Sequence, residues 1–174
     1  MSNYINQINT RENNLYNSIL LLSRNKLFYT KFDLIDTFQN RIHLIFIHIS
    51  FIFIKIKQSN KNQIYKISYQ KIFDLIFNKI ELNMREIGFG DTAINKNMKF
   101  LIKTFYSILF NCEKYKEMGR KDKNKFFSKY LEVNNIKNNS INKGIIEYFD
   151  KYEAFCFDLK ADSVLKGKLN FNYK

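Results

Sequence analysis

Hydrophobic residues in this chain recur at spacings of three and four over most of its length, which is typical of helices with one buried face. After residue 93, for example, Ile94, Met98, Leu101, Phe105 and Leu109 fall on one side of a helix. The same pattern predicts helices over residues 14–24, 41–57, 61–83, about 93–116, 126–131 and 141–159. We therefore expect an all-α fold, a single compact domain of about five to seven helices.

Polar and charged segments separate these helices. The pattern predicts a loop with about one helical turn over 28–40, a charged connector over 119–125, an Asn-rich loop over 134–142 and a polar, partly extended tail over 167–174. No internal repeat or long linker divides the chain. We expect a flexible polar segment over residues 1–14, without the apolar core of a secretory signal, followed by one domain over residues 15–171.

Residues 41–57 give conflicting signals. Ile45, Ile47 and Ile49 alternate with other residues, and the density of β-branched side chains favours a strand. Seventeen residues without a turn signal are long for a strand and ordinary for a helix. We therefore predict a helix that is buried on most faces, too short in its apolar run to cross a membrane.

The segment from Arg85 to Asp91 joins two of the predicted helices. Gly88 and Gly90 lie within three residues of each other, in a chain that has only five glycines. A glycine just past a helix can adopt the left-handed conformation that ends it, and an acidic residue favours the start of the next helix. Two interpretations remain open: the charges of this corner brace the turn, or they meet a partner.

A positive surface follows this corner. Lys96, Lys99 and Lys103 share one face of the next predicted helix, because their spacings are three and four. The whole chain carries a formal net charge of +13, which attracts RNA, acidic proteins or anionic lipid. The alternative is that the lysines reflect a base-composition bias, which would also explain the abundance of Ile and Asn and the absence of Pro.

The residues that usually carry catalysis or bind metals are few. His43 and His48 point about 140° apart on a helix, so they do not form a metal pair, and we interpret His48 as a hydrogen-bonded core residue. Cys112 and Cys156 are too few for a zinc site, and we expect two free thiols. We therefore predict a protein that binds another macromolecule, with no catalytic residues, no cofactor and no metal, and a helical enzyme is the third alternative.

Several short motifs resemble those of the ubiquinol–cytochrome c chaperones, a family of assembly factors for the cytochrome bc1 complex. Residues 84–91, Met-Arg-Glu-Ile-Gly-Phe-Gly-Asp, are similar to the family's Leu-Arg-Glu-Met-Gly-Val-Gly-Asp, and they are the most specific match. Weaker matches occur in the family's order at residues 28–29, 36–41, 44–56 around His48, 96–99, 105–106 and 167–171. The resemblance runs from about Leu15 to Phe171.

The chain departs from the family pattern at some of these motifs. Asp33 and Ile35 stand where the family has Gly and Pro, and the helix start at residues 93–96 lacks the family's Ser and Pro. Ile108 stands where the family's Phe-Tyr-Gly-Arg has its Arg, so this chain lacks that Arg.

The resemblance implies a non-enzymatic chaperone that binds newly made cytochrome b, with a ribosome and a small helper protein as candidate partners and no specific DNA. It implies a location peripheral to the inner membrane, on the cytoplasmic side in bacteria or the matrix side in mitochondria. It favours a partner-binding role for Arg85, Glu86 and Asp91. We add Lys96, Lys99, Lys103 and Tyr106 as candidate partner-binding residues, assign Gly88 and Gly90 to the turn, and assign His48 and Phe105 to the core. The rival function is a basic RNA- or ribosome-binding module without a dedicated client.

Overall fold

The protein is described from a computed structural model, which covers residues 11–58, 63–134, 143–160, 163–164, 166–167 and 169–173. Over these residues the chain forms α1 (Arg11–Ser23), α2 (Leu27–Thr30), α3 (Phe38–Gln58), α4 (Gln63–Ile87), α5 (Asp91–Glu113), a 3-10 turn (Tyr115–Glu117), α6 (Arg120–Tyr130) and α7 (Lys143–Asp158). Within the same residues there is no β-strand, only an isolated antiparallel bridge between Leu34 and Val133. The predicted all-α fold is confirmed.

Helix α3 lies at the centre of the fold. It packs against α1, α4, α5 and α7, and its side chains from Ile42 to Phe53 are buried without interruption. Helix formation therefore prevails over the β-propensity of its isoleucines, since every face meets a neighbouring helix. No helix in the described parts of the chain combines the length and the apolarity that a membrane span requires.

His48 connects α3 to α7 inside the core. Its Nδ1 donates a hydrogen bond to the Leu44 carbonyl at 2.6 Å, so its Nε2 accepts one from the Tyr148 hydroxyl at 2.9 Å. The Tyr152 hydroxyl donates to the His48 carbonyl oxygen at 3.3 Å. Burial lowers the pKa of His48 to about 4, so the ring is neutral at physiological pH.

The prediction of a connector over residues 119–125 is wrong, because α6 already begins at Arg120. Its charged residues lie on the solvent side of the helix, while Phe126, Phe127 and Tyr130 are buried. Lys123 lies closer to the core and binds Asp150 of α7 at 2.8 Å. The run of charges is therefore the solvent-exposed face of an amphipathic helix and not a loop.

The tail after α7 also differs from its predicted polar character. Leu169, Phe171 and Tyr173 pack against the core. Gly167 adopts a φ of +70° directly against α1, where an added Cβ would lie 2.7 Å from the Arg11 carbonyl oxygen. The tail thus covers part of α1, and only glycine fits at this point of contact.

Other expectations differ in detail. The spacing of apolar residues between positions 61 and 83 predicts that Ile67 lies on the buried face of that helix, but Ile67 is 56% exposed. Helix α1 begins at Arg11, within the segment predicted to be flexible, and residues 1–10 lie outside the described residues. Most of the predicted Asn-rich loop, residues 135–142, lies outside them as well.

Candidate partner-binding surface

The corner between α4 and α5, residues 84–91, is built by its two glycines. Gly88 has a φ of +98°, and its N–H donates to the Arg85 carbonyl at 3.0 Å. The N–H of Phe89 donates to the Met84 carbonyl at 3.0 Å, which completes a Schellman motif at the end of α4. Gly90 is extended and precedes the first turn of α5, where its carbonyl accepts the N–H of Ile94 at 2.9 Å. The corner is therefore a defined turn.

Arg85 links the two helices of the corner. Its guanidinium contacts Glu81, one turn earlier in α4, at 2.8 Å and Asp91, at the start of α5, at 2.6 Å. The hydrogen bonds to Glu81 and then to Asp91 raise the pKa of Arg85. Asp91 also lies in the first turn of α5, where a negative charge interacts favourably with the helix dipole and stabilises the helix. This geometry agrees with a bracing role for Arg85 and Asp91.

The remaining side chains of the corner are free to meet a partner. Glu86 is exposed and forms no ion pair with any residue that the structure describes. Ile87 and Phe89 are 60% and 40% exposed. A carboxylate and two apolar side chains are thus presented together by a turn whose backbone is fixed.

Helix α5 carries the predicted lysines on its exposed side. Lys96, Lys99 and Lys103 span about 60° of the helix circumference and are all exposed. None of the three pairs with a carboxylate over the described parts of the chain. Tyr106 is half exposed on the same side, and its ring lies 5.5 Å from that of Phe105, which is buried in the core.

Two exposed rings on this side were not among the sequence-based candidates. Phe100 is 58% exposed and Phe110 is 57% exposed, and the Lys114 Nζ lies 4.4 Å from the centre of the Phe110 ring. Both residues fall outside the row of buried apolar residues on α5, such as Leu101 and Phe105. Their helical spacing relative to the lysines could therefore have indicated that they are exposed. We name as the α5 outer face the residues Lys96, Lys99, Phe100, Lys103, Tyr106 and Phe110.

The thiols and the second histidine lie elsewhere. Cys112 and Cys156 line one cavity of about 230 Å³ beside the end of α3. Burial raises the pKa of both thiols, which makes them poor nucleophiles. His43 is buried and bonded to Gln39 and to the Tyr130 carbonyl. Within the described residues, no three His, Cys, Asp or Glu side chains are grouped so that they would hold a metal.

These features define a helical protein whose exposed chemistry is a charged corner and a helix face of lysines and rings, which is typical of proteins that act by contact with other macromolecules. The sequence profile described as ubiquinol–cytochrome C chaperone matches residues 30–171, and the chain belongs to that family. The match includes both the corner and the α5 outer face.

A solved structure has the same fold. The chain is similar to the crystal structure of the Cbp3 homolog from Brucella abortus, with a TM-score of 0.77 and 19% sequence identity over 94% of this chain and 89% of that chain. No curated protein sequence matches the chain.

Proposed function

We propose that the protein is a non-enzymatic chaperone that binds newly made cytochrome b and promotes assembly of the ubiquinol–cytochrome c reductase complex. Membership of the chaperone family over residues 30–171 is the observation that carries this proposal. The neutral, fully bonded His48 and the buried thiols agree with it, since none of them offers a general base or a nucleophile at the surface.

The corner is the proposed contact for the client. It presents Glu86, Ile87 and Phe89 on a turn that the Schellman motif and the Arg85 brace hold in place. A preorganised contact loses little conformational entropy on binding. The client is a membrane protein, so the chaperone acts at the inner membrane, with a helper protein and the ribosome as further candidate partners.

A gene deletion with complementation tests this function. We expect the deletant to lack spectrally detectable cytochrome b, and normal assembly of the complex without the gene would overturn the proposal. The double variant Ile87→Ser, Phe89→Ser is expected to lose crosslinking to newly made cytochrome b with an unchanged melting temperature. Leu21→Ser is the matched control, because Leu21 is an apolar residue of α1 that is 74% exposed.

A second pair of variants distinguishes whether the charges of the corner brace the turn or bind the partner. Asp91→Asn removes a carboxylate that Arg85 uses, so we expect a lower melting temperature. Glu86→Gln alters a side chain that forms no ion pair with any described residue, so we expect weaker crosslinking and an unchanged melting temperature. If Glu86→Gln lowered the melting temperature and left the crosslinking intact, Glu86 would belong to the brace.

The lysines of the α5 outer face favour a second candidate function, a basic RNA- or ribosome-binding module. Co-sedimentation with ribosomes in graded salt tests it. Binding to empty ribosomes with a steep salt dependence, unaffected by cytochrome b, would support the module.

A further inference from the structure

We propose that the α5 outer face docks the protein on an anionic lipid bilayer, with its rings at the boundary between headgroups and acyl chains and its lysines at the lipid phosphates. The inference rests on the membrane location proposed above and assigns it a surface and a lipid class. It does not depend on which protein is the client.

Exposed apolar side chains are concentrated on α5 and at the corner that precedes it. Five of the nine large hydrophobic side chains that are exposed among the described residues lie between positions 87 and 110, namely Ile87, Phe89, Phe100, Tyr106 and Phe110. From Phe100 to Phe110 the rings extend over about 15 Å of helix. The three rings on α5 lie on one face of the helix, and exposed apolar side chains grouped in this way mark an interaction surface.

The charge of the face has a single sign. Residues 92–112 include Lys96, Lys99 and Lys103 and no Asp or Glu. The carboxylates at the two ends of α5 are already engaged, Asp91 by Arg85 and Glu113 by Lys57 at 2.8 Å. The three lysines therefore act on the surroundings as an uncompensated positive strip, which complements anionic headgroups.

The geometry of the face suits a bilayer. Its six residues lie within about 120° of the circumference of α5, and the lysines lie between the rings. The opposite side of α5 packs on α3 and α4, so the helix cannot turn away from a surface that it meets. Lipids rearrange around a convex face of alternating rings and charges, as they do around interfacial amphipathic helices.

The same rings are less suited to stacking on RNA bases. The ring of Phe110 is approached by Lys114, and Tyr106 lies 6.0 Å from Phe73 with the rings 31° apart. All the cations of the face are lysines, which lack the planar fork that arginine offers to phosphates and bases. We therefore favour the bilayer, and RNA is an outcome that the experiment distinguishes.

Vesicle flotation with the purified full chain is the first test. We expect binding to vesicles that contain phosphatidylglycerol and little binding to pure phosphatidylcholine. At low salt each lysine contributes about fivefold to the partition coefficient, so replacing all three by Gln lowers it by about 100-fold. The control variant replaces three exposed lysines of α6 by Gln, namely Lys121, Lys125 and Lys129. It changes the net charge by the same amount, and we expect it to keep most of the vesicle binding.

A fluorescence reporter tests insertion of the rings. The chain has no Trp, so Phe100→Trp or Phe110→Trp introduces a single reporter. We expect a blue shift of its emission on addition of the phosphatidylglycerol vesicles. Leu21→Trp on α1 serves as the control, with no shift expected.

Two results would overturn the docking proposal. One is an equal loss of vesicle binding in the two triple-lysine variants with no blue shift at position 100 or 110, which would indicate a net-charge effect. The other is binding to polyuridylate, lost in the α5 triple variant, without any binding to vesicles, which would assign the face to RNA. Neither result affects the cytochrome b phenotype of the deletant, so this proposal and the proposed function fail separately.

Discussion

Acidification from pH 7 to pH 5 is expected to destabilise the protein through His48. Burial lowers the pKa of His48 in the folded state to about 4, whereas the pKa in the unfolded chain is near the ordinary 6.5. Between these values the unfolded chain binds a proton that the folded chain does not. The free energy of unfolding therefore falls as the pH decreases below about 6.5, and the fall continues to about pH 4.

The size of this effect follows from the two pKa values. A difference of about 2.5 units corresponds to roughly 3 kcal/mol in total, of which about 2 kcal/mol is lost between pH 7 and pH 5. The pKa of His43 is also lowered by burial, which adds a contribution in the same direction. The hydrogen bond from Arg41 lowers the pKa of Asp36, so the contribution of this carboxylate to stability is lost only at a pH below the ordinary Asp range. Asp36 therefore does not affect stability between pH 7 and pH 5.

Guanidinium unfolding followed by circular dichroism at pH 7 and pH 5 measures the effect. His48→Gln keeps a polar side chain without titrating, so we expect a less stable protein whose stability depends less on pH, by about 2 kcal/mol over this interval. His43→Gln is the matched control and removes only its own contribution. If His48→Gln showed the same loss between pH 7 and pH 5 as the unaltered chain, the linkage argument would be refuted.

Two further predictions concern the glycines and the thiols. Gly167→Ala is expected to lower the melting temperature more than Gly88→Ala, because both adopt positive φ but only Gly167 abuts a backbone oxygen. For Gly88→Ala, backbone strain alone costs about 1–2 kcal/mol, which lowers the melting temperature by roughly 2–8 °C. For Gly119→Ala we expect almost no change, because nothing lies within 4 Å of the added Cβ. Differential scanning fluorimetry measures all three variants. Cys112 and Cys156 are buried, so we expect Ellman's reagent to label them only on unfolding, and rapid labelling of the folded protein would contradict their burial.

Sequence patterns alone predicted the helical architecture, because the side chains that a helix buries recur every three or four residues along the chain. The length of the 41–57 segment outweighed the β-propensity of Ile45 and Ile47, and α3 is indeed a helix. The charged start of α6 was missed because a wet helix face and a charged loop have the same composition over a few residues. Ile67 was misassigned, since the spacing within one helix does not reveal where its neighbours end.

The candidate surface was predictable in part. The left-handed Gly88 follows from its place at a helix end, and the lysines follow from their spacing. The contact of Arg85 with Glu81 is an i, i+4 pair within α4 and follows from helical spacing. The contact of Arg85 with Asp91 depends on the angle between α4 and α5, which no local pattern specifies. Phe100 was not among the sequence-based candidates, although its position outside the row of buried apolar residues on α5 indicates exposure.

The packing of Gly167 on α1 bears on how this protein is made. The Ser18 hydroxyl reaches the Gly167 carbonyl across 149 positions, and His48 meets Tyr148 across 100. These two contacts therefore form only after nearly the whole chain has been made, and contacts between residues so distant in sequence slow folding. A chain cut after α7 would lack the tail over α1, so we expect it to be less stable than the full chain.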